Sequence, residues 1–449
     1  MGKYTPDDQN CFKPVASPSD PPESDMRISR AVAVLVAVPL AAQTPAKPLS
    51  GPAALAHARE LLSTTPLIDG HNDTPWEIRE NTAAPHDVAA YDLRKHTPHQ
   101  TDIARMRAGK LGGQFWSVYV PGEYADSGYA RVQLEQIDIA RRMIAAYPEA
   151  LAPAYTAADV RTAFAAHKVG SLMGMEGGHA IENSLGALRA YYALGVRYMT
   201  LTHNVTLDWA DAALDSAKHG GLTNFGREVV REMNRLGMLV DLSHVSPGTM
   251  SSALDVAEAP VIFSHSSARA LVDHPRNVPD SILRRLPKNG GVVMVSFVPG
   301  FDSPKVRAHS LARAKAAADA KAAGRDSAAV ARGMKAWDAA HPAPKATLKD
   351  VADMIDHVRQ VAGANHVGIG SDFDGVDDDL PVGLEDESKY PMLFAELIER
   401  GWSDADLKKL AGENVLRVLS TAEQVAKRLQ KTRQPSTKTI QELDGKPRM

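Results

Sequence analysis

Short apolar runs alternate with stretches of helical periodicity from residue 66 to residue 374. This alternation is typical of repeated strand and helix units, which build parallel sheets in α/β proteins. Eight such units fit a closed (β/α)8 TIM barrel. The predicted strands span residues 66–73, 112–120, 170–178, 196–203, 237–244, 260–267, 290–298 and 366–374.

The segments between these strands have the apolar spacing of amphipathic helices. In "NFGREVVREMNRLG", Val229, Val230, Met233 and Leu236 recur at helical intervals, and Gly237 ends the pattern. The spacing therefore predicts a helix that ends at the glycine.

Residues 304–346 break the alternation. They are rich in Ala, Lys and Arg and have no strand character, so they predict a helical insertion between the seventh and eighth strands. Charged, alanine-rich helices usually lie on the protein surface, exposed to solvent. The alternative is a lid over the functional site.

The start of the chain has two parts. Residues 1–25 are rich in Pro and Ser and predict a disordered extension. From Met26, "MRISRAVAVLVAVPLAAQTPA" has two arginines, an apolar run and then small residues, which predicts a signal peptide over 26–46. The run is short for a bilayer span, but an uncleaved anchor or a buried helix remains an alternative. We therefore expect export, to a bacterial periplasm, of a mature chain with no stable membrane anchor.

The remaining boundaries are less sharply marked. We predict a barrel domain over 47–425, followed by a polar tail over 426–449 that is frayed and has no hydrophobic anchor signal.

Composition narrows the chemistry. The 449 residues include 51 Lys and Arg against 54 Asp and Glu, a net charge of −3, so nothing favours nucleic acid as a partner. The single cysteine, Cys11, precedes the apolar run, so a mature chain would have no disulfide and no thiolate metal site. A metal site must then use His, Asp and Glu.

Polar residues of this kind cluster at the carboxyl ends of the predicted strands. In a (β/α)8 barrel those ends converge on one face, where active sites are built. Seven such residues end six different strands, which argues against coincidence. They are His71, Asp73, Glu176, His203, His244, His265 and Asp372.

This set exceeds what one metal ion needs. Histidines and carboxylates suit zinc, manganese or cobalt, and a site with two metals bridged by one carboxylate uses such a set. Glu176 lies between the two ligand groups and is the natural bridge. His71 and Asp73 would then hold one ion, and His244 and His265 the other.

Several longer motifs surround these residues. "IDGHNDTPW", "MEGGHAIENSLGALRAYYALGVRYMTLTHN", "VDLSHVS", "PVIFSHSSARAL", "RNVPD", "GSDFDG" and "GENVLRVL" closely resemble the membrane dipeptidase family, also called renal dipeptidases or peptidase family M19. The match runs in order over residues 60 to 420. It implies a (β/α)8 barrel of the metal-dependent amidohydrolase type that hydrolyses dipeptides, including those with a C-terminal D-residue, with two Zn²⁺ ions per chain.

The resemblance implies the same five metal ligands and adds three roles. Asp372 would handle the proton of the attacking water, His203 would bind the scissile carbonyl, and Arg276 would hold the substrate carboxylate. A lone histidine such as His203 could be a core residue, but its position at the end of a strand favours a role in the site. Without the resemblance, Arg276 could equally be a surface arginine. Asp374 would support the site, and His179, His219 and His274 are expected to bind no metal.

Other functions and assemblies stay open. The chain lacks the cysteines and anchor tail of animal members, and its insertion leaves the shape of the substrate pocket undetermined. The alternatives are hydrolysis of a cyclic amide or lactone at the same site, or metal binding without catalysis. The expected partners are small dipeptides, and the sequence does not decide between a monomer and a homodimer.

Overall fold

A computed structural model describes residues 49–122, 124, 128–324, 326–376 and 379–445. The predicted N-terminal extension and signal peptide, residues 1–46, lie outside these ranges. None of the helices in the described ranges is both long enough and apolar enough to cross a lipid bilayer.

The described residues form a closed parallel barrel. The strands are β1 Leu67–Asn72, β2 Leu111–Ser117, β3 Leu151–Pro153, β4 Val169–Glu176, β5 Val196–Thr200, β6 Leu239–Asp241, β7 Ile262–Phe263, β8 Val292–Val295 and β9 Val367–Ile369. All of these except β3 run in the order β2-β1-β9-β8-β7-β6-β5-β4, and pairing of β2 with β4 closes the ring. All eight predicted strands, and with them the (β/α)8 fold, are confirmed.

One strand was not predicted. Among the described residues, β3 pairs only with β4 and stands outside the ring. It has three residues and ends in Pro153, so it is too short to show the alternating pattern of a strand.

Helices connect the strands. The helix predicted before Gly237 is present: its Val229, Val230 and Met233 are buried, and Gly237 ends it with φ 88°. The helices are α1 Pro52–Thr64, α2 Thr74–Glu80, α3 Ile103–Ala108, α4 Tyr129–Ala146, α5 Ala157–Ala165, α6 Leu185–Ala193, α7 Asn224–Leu236, α8 Pro247–Val256, α9 Asp280–Leu283, α10 Leu286–Asn289, α11 Pro299–Asp302, α12 Pro304–Ala322, α13 Ser327–Ala340, α14 Leu348–Ala362, α15 Tyr390–Glu399, α16 Asp404–Lys408, α17 Asn414–Leu429 and α18 Ile440–Asp444.

Small residues hold the strands close beneath the carboxyl ends. A Cβ atom at Gly70 or at Gly370 would collide with the carbonyl oxygen of Ser264. Met294 from β8 occupies the space beside both glycines. Gly70, Ser264 and Gly370 directly precede His71, His265 and Ser371 in the chain. The close packing of the barrel interior therefore fixes the backbone directly below the candidate site.

The predicted insertion is a pair of helices, α12 and α13. An ion pair of 2.7 Å between Arg313 Nε and Asp338 Oδ1 joins them, and neither helix contains a buried residue. The insertion is therefore mostly solvated. It follows α11 directly, and α11 carries Phe301, which lines the cavity described below.

The described part of the C-terminal tail differs from the frayed segment that we predicted. Residues 426–429 complete α17, and α18 buries Ile440 against the core. Asp444 accepts hydrogen bonds from Thr223 Oγ1 at 2.6 Å and from the backbone nitrogens of Asn224 and Phe225, at the start of α7. Further hydrogen bonds join Ser436 to Arg189 and Glu232. Most of these contacts are polar and lie between distant segments, so a polar tail gives little local sign of them.

Candidate active site

Five of the predicted site residues meet at the carboxyl end of the barrel. Glu176 stands at the centre. Its Oε2 lies 3.4 Å from His71 Nε2, and its Oε1 lies 3.0 Å from His244 Nε2 and 3.5 Å from His265 Nε2. Asp73 Oδ2 lies 3.1 Å from His71 Nε2. The two oxygens of one carboxylate therefore face the two predicted ligand pairs.

These side chains form groups in which a metal ion could be held. In the described part of the chain, His71, Asp73 and Glu176 form one group, and Glu176, His244 and His265 form another. The members of each group place their donor atoms within 4.8 Å of one another. His71, His265 and Asp372 form a third group. The first two share Glu176, as expected of a bridging ligand.

Unpaired buried atoms support a metal at this position. His71 Nε2 and Asp73 Oδ1 are buried and have no hydrogen-bond partner among the described residues. A buried polar atom without a partner costs free energy, so such atoms usually bind something. Both atoms belong to the same candidate group, and their types match the ligands of zinc and related ions.

Each histidine is oriented through its other ring nitrogen. His71 Nδ1 pairs with the Tyr198 hydroxyl at 2.7 Å, His244 Nδ1 with Asn204 Oδ1 at 3.0 Å, and His265 Nδ1 with Ser264 Oγ at 2.8 Å. These contacts turn all three Nε2 atoms toward Glu176. Such outer contacts are the usual support of histidine ligands in metal sites.

Local electrostatics favour the ligand forms of His244, His265 and Glu176, whereas the pKa of His71 is shifted toward the protonated ring. Burial, with Arg276 nearby, holds the pKa of His244 and His265 well below the usual value, so both rings keep a free lone pair. Burial opposes ionisation of Glu176, but the adjacent His71 and His244 hold its pKa well below the usual value. Burial alone would lower the pKa of His71, but Tyr198 and the carboxylates of Asp73 and Glu176 raise it well above the usual value.

The backbone is unusual at three site positions. His244, Asp372 and Asp374 have φ values of 65°, 69° and 62°. Residues other than glycine rarely adopt this left-handed conformation, and such residues cluster at functional sites. It aims the His244 and Asp372 side chains into the same cavity.

Asp372 lies at the edge of the ligand cluster. Its Oδ1 is 3.9 Å from His71 Nε2. Burial, with Asp73 and Glu176 close by, raises the pKa of Asp372 to about 7. The carboxyl group can therefore both take and release a proton near neutral pH.

His203 and Arg276 line the same cavity. His203 Nε2 is 3.8 Å from Glu176 Oε1, and its ring packs against Tyr119 with centroids 4.8 Å apart. Arg276 is only 4% exposed, donates from Nη2 to the His265 carbonyl at 3.3 Å, and packs over the Phe301 ring. Its buried Nε has no partner among the described residues, so the guanidinium has capacity for an anion.

The other polar residues named from the sequence have structural contacts. Asp374 accepts hydrogen bonds from Thr74 Oγ1 and from the backbone nitrogen of Gln100, so it ties the start of α2 to the loop before α3. The rings of His179 and His219 bond to backbone carbonyls, and His274 Nδ1 accepts from Arg276 N.

Several supporting residues were missed. Asp241 accepts hydrogen bonds from Ser264 N and Oγ, and Asp69 accepts from the backbone nitrogens of His71 and Ser371. A signal existed for both, because each aspartate precedes a site histidine by two or three residues. Tyr198 and Asn204 gave no such signal, since their partners are distant along the chain.

The site opens into a cavity of about 560 Å³. This volume is within the usual range for small-molecule sites. Carboxylates and Arg276 give its wall both signs of charge, and Trp76, Tyr119 and Phe301 give it apolar surface. A small ligand with charges of both signs fits such a wall.

The fold and this cluster together are typical of amidohydrolase-class proteins. The family model of membrane dipeptidases, peptidase family M19, matches residues 55–433. An uncharacterized dipeptidase of Schizosaccharomyces pombe is 44% identical over 386 residues, covering 82% of this chain and 83% of the relative. The chain therefore belongs to peptidase family M19, the membrane dipeptidases.

Solved structures agree with this membership. The probable dipeptidase PvdM from Pseudomonas aeruginosa is 27% identical with a TM-score of 0.71, over 83% of this chain and 99% of that one. A metallo peptidase from Rhodobacter sphaeroides, liganded with a phosphinate mimic of the dipeptide L-Ala-D-Ala, is 26% identical with a TM-score of 0.65. That match covers 80% of this chain and 99% of the other.

Proposed function

We propose that this chain is a binuclear zinc dipeptidase that cleaves dipeptides, including those with a C-terminal D-residue. The observation that carries the proposal is the pair of ligand groups that share Glu176, with unpaired buried donor atoms on His71 and Asp73. We include dipeptides with a C-terminal D-residue because the Rhodobacter sphaeroides metallo peptidase is liganded with a mimic of L-Ala-D-Ala.

His71, Asp73 and Glu176 would hold one ion, and Glu176, His244 and His265 the other. When bound, such ions polarise a carbonyl group and lower the pKa of a water molecule. Glu176 positions the two ligand sets relative to each other through its two oxygens.

The remaining residues then have separable tasks. Asp372 accepts a proton from the attacking water at its carboxylate and passes it to the leaving amine, for which a pKa of about 7 is suitable. His203 Nε2 donates to the oxygen that gains charge as the carbonyl is attacked. Burial lowers the pKa of His203, which favours a neutral imidazole, and donation from Nε2 requires the proton on that nitrogen.

Arg276 explains a restriction to dipeptides. A buried guanidinium with an unpaired Nε is suited to a carboxylate, which it can bind through two parallel hydrogen bonds. If that carboxylate lies one residue beyond the scissile bond, a longer peptide leaves the guanidinium unpaired and buried. The site therefore selects a free carboxylate at a fixed distance from the bond that breaks.

The direct test is turnover by zinc-loaded protein of matched L,L- and L,D-dipeptides, with their C-terminal amides for comparison. Charge-assisted hydrogen bonds contribute roughly 1.5 to 3 kcal/mol, so the free acid should be preferred by at least about tenfold in kcat/KM. Arg276→Ala should largely remove this preference, and Arg284→Ala, at an exposed arginine, should keep it.

Three outcomes count against these assignments. No turnover of any dipeptide by metal-loaded protein contradicts the proposed activity. Equal turnover of acid and amide by the wild type, or an undiminished preference in Arg276→Ala, shows that another group binds the carboxylate.

We also propose that the protein is exported and that residues up to about 42–46 are removed, because residues 26–46 have the pattern of a signal peptide. The intact mass of protein recovered from the envelope of its native host should lack this segment. Recovery from the cytoplasm of chains that keep residues 26–42 would refute the prediction.

A further inference from the structure

The cavity wall contains a carboxylate that the proposed metal and proton chemistry does not use. It belongs to Glu77 on α2, whose side chain is 23% exposed and lines the cavity beside Trp76 and His99. Glu77 Oε2 lies 2.8 Å from His99 Nε2, and Oε1 takes no part in that pair. The carboxylate can therefore accept a further hydrogen bond from inside the cavity.

The other carboxylates on this wall are already engaged. Asp73 and Glu176 are assigned to the metal site, and Asp372 to proton transfer. Asp374 accepts from Gln100 N at 2.8 Å with one oxygen and from Thr74 Oγ1 at 2.6 Å with the other. Glu77 is thus the carboxylate in this wall with capacity for a cation on the substrate.

Glu77 and Arg276 come from different parts of the barrel rim. Glu77 lies on the helix after β1, and Arg276 in the loop after β7, with β8 and β9 between those strands in the ring. Burial and the carboxylates of Asp374, Asp73 and Glu80 raise the pKa of Glu77 to about 7, and His99 opposes this shift. Burial lowers the pKa of Arg276 to about 10, and the carboxylates of Asp372, Glu176 and Asp241 oppose this shift. The cavity therefore has an anionic region and a separate cationic region.

We propose that Glu77 binds the α-ammonium group of the substrate and so selects peptides with a free amino terminus. This inference rests on the proposed function, in which Arg276 holds the carboxylate. A dipeptide is a zwitterion about 7 Å long when extended, so its two charges can reach two regions of one small cavity. The rings of Trp76 and Tyr119, with centroids 5.0 Å apart, give the same cavity an apolar wall. Apolar surroundings strengthen a hydrogen bond between opposite charges.

The test compares alanyl-alanine with propionyl-alanine, which lacks only the ammonium group. The full chain loaded with zinc should hydrolyse alanyl-alanine with a kcat/KM at least about tenfold higher. Glu77→Gln should bring the ratio close to one. Glu60→Gln removes the same charge from an exposed position of α1, outside this cavity, and should leave the ratio unchanged.

A second variant separates recognition from positioning. If Glu77 acts only by holding His99, then His99→Asn should lose the preference as fully as Glu77→Gln does. Direct recognition predicts instead that His99→Asn keeps it, because the carboxylate remains. Loss of the preference in both variants would overturn the assignment.

Affinity distinguishes failure of this inference from failure of the proposed function. In the Asp372→Asn background, where turnover is slow, calorimetry should give zinc-loaded protein a Kd for alanyl-alanine at least about tenfold below that for propionyl-alanine. Adding Glu77→Gln should remove the difference. If the wild type hydrolyses neither compound, the dipeptidase proposal fails and these affinities still decide the role of Glu77. Equal affinities, or a difference that survives Glu77→Gln, refute it.

Discussion

Replacing Asp372 with asparagine should lower kcat for dipeptides by about 10² to 10⁴, the usual contribution of a positioned general acid or base. Asparagine keeps the shape of the side chain and tolerates the left-handed backbone at this position, where φ is 69°. It cannot take a proton from water at neutral pH. The loss should therefore appear in kcat, measured in steady state with saturating dipeptide.

Metal content makes this result interpretable. Asp372 also forms a candidate ligand group with His71 and His265, so loss of metal could lower kcat for a different reason. Elemental analysis should find two zinc ions per chain in both the wild type and Asp372→Asn. Asp379→Asn, at an exposed aspartate after the same strand, should match the wild type. A variant that keeps both metals and full kcat would show that another group moves the proton.

Replacing Glu176 with alanine should remove both metal ions and abolish hydrolysis. The variant leaves two protein ligands in each half of the site, His71 with Asp73 and His244 with His265. Zinc sites normally need three or four ligands, so neither half should retain its ion through desalting. Elemental analysis measures the loss, and circular dichroism checks that the barrel is still folded.

The matched control for this variant is Glu60→Ala on the exposed face of α1, which should keep two ions per chain. Fully active wild-type protein with one zinc ion or none would contradict the binuclear site. A Glu176→Ala protein that keeps one ion would show that the two halves do not depend on a shared carboxylate.

The barrel and the residues on its carboxyl ends were predictable because both depend on short-range patterns. Each strand is a compact apolar run, and the polar residue that ends it follows directly, so position along the chain gives position in space. His71 and Asp73 needed no more than the two-residue period of a strand to be placed on one side.

Contacts between distant segments were not predictable in the same way. The pairs of Tyr198 with His71 and of Asn204 with His244 join residues that are 127 and 40 positions apart. The pair of Glu77 with His99 crosses a loop without a periodic pattern. Each contact depends on the finished fold, and one tyrosine or glutamate gives no local sign of its partner.

Closure of the barrel by β9 and the docking of Asp444 on α7 also affect how the chain is made. β1 can pair with β9, one of its two neighbours, only after residue 369 has been synthesised. In the same way, the carboxylate of Asp444 can cap α7 only after residue 444 has been synthesised. For most of its synthesis the ring therefore lacks a strand, and long-range pairings of this kind form slowly. A nascent chain in this state has an unpaired strand edge, so we expect the barrel to close only after residue 369 has left the ribosome.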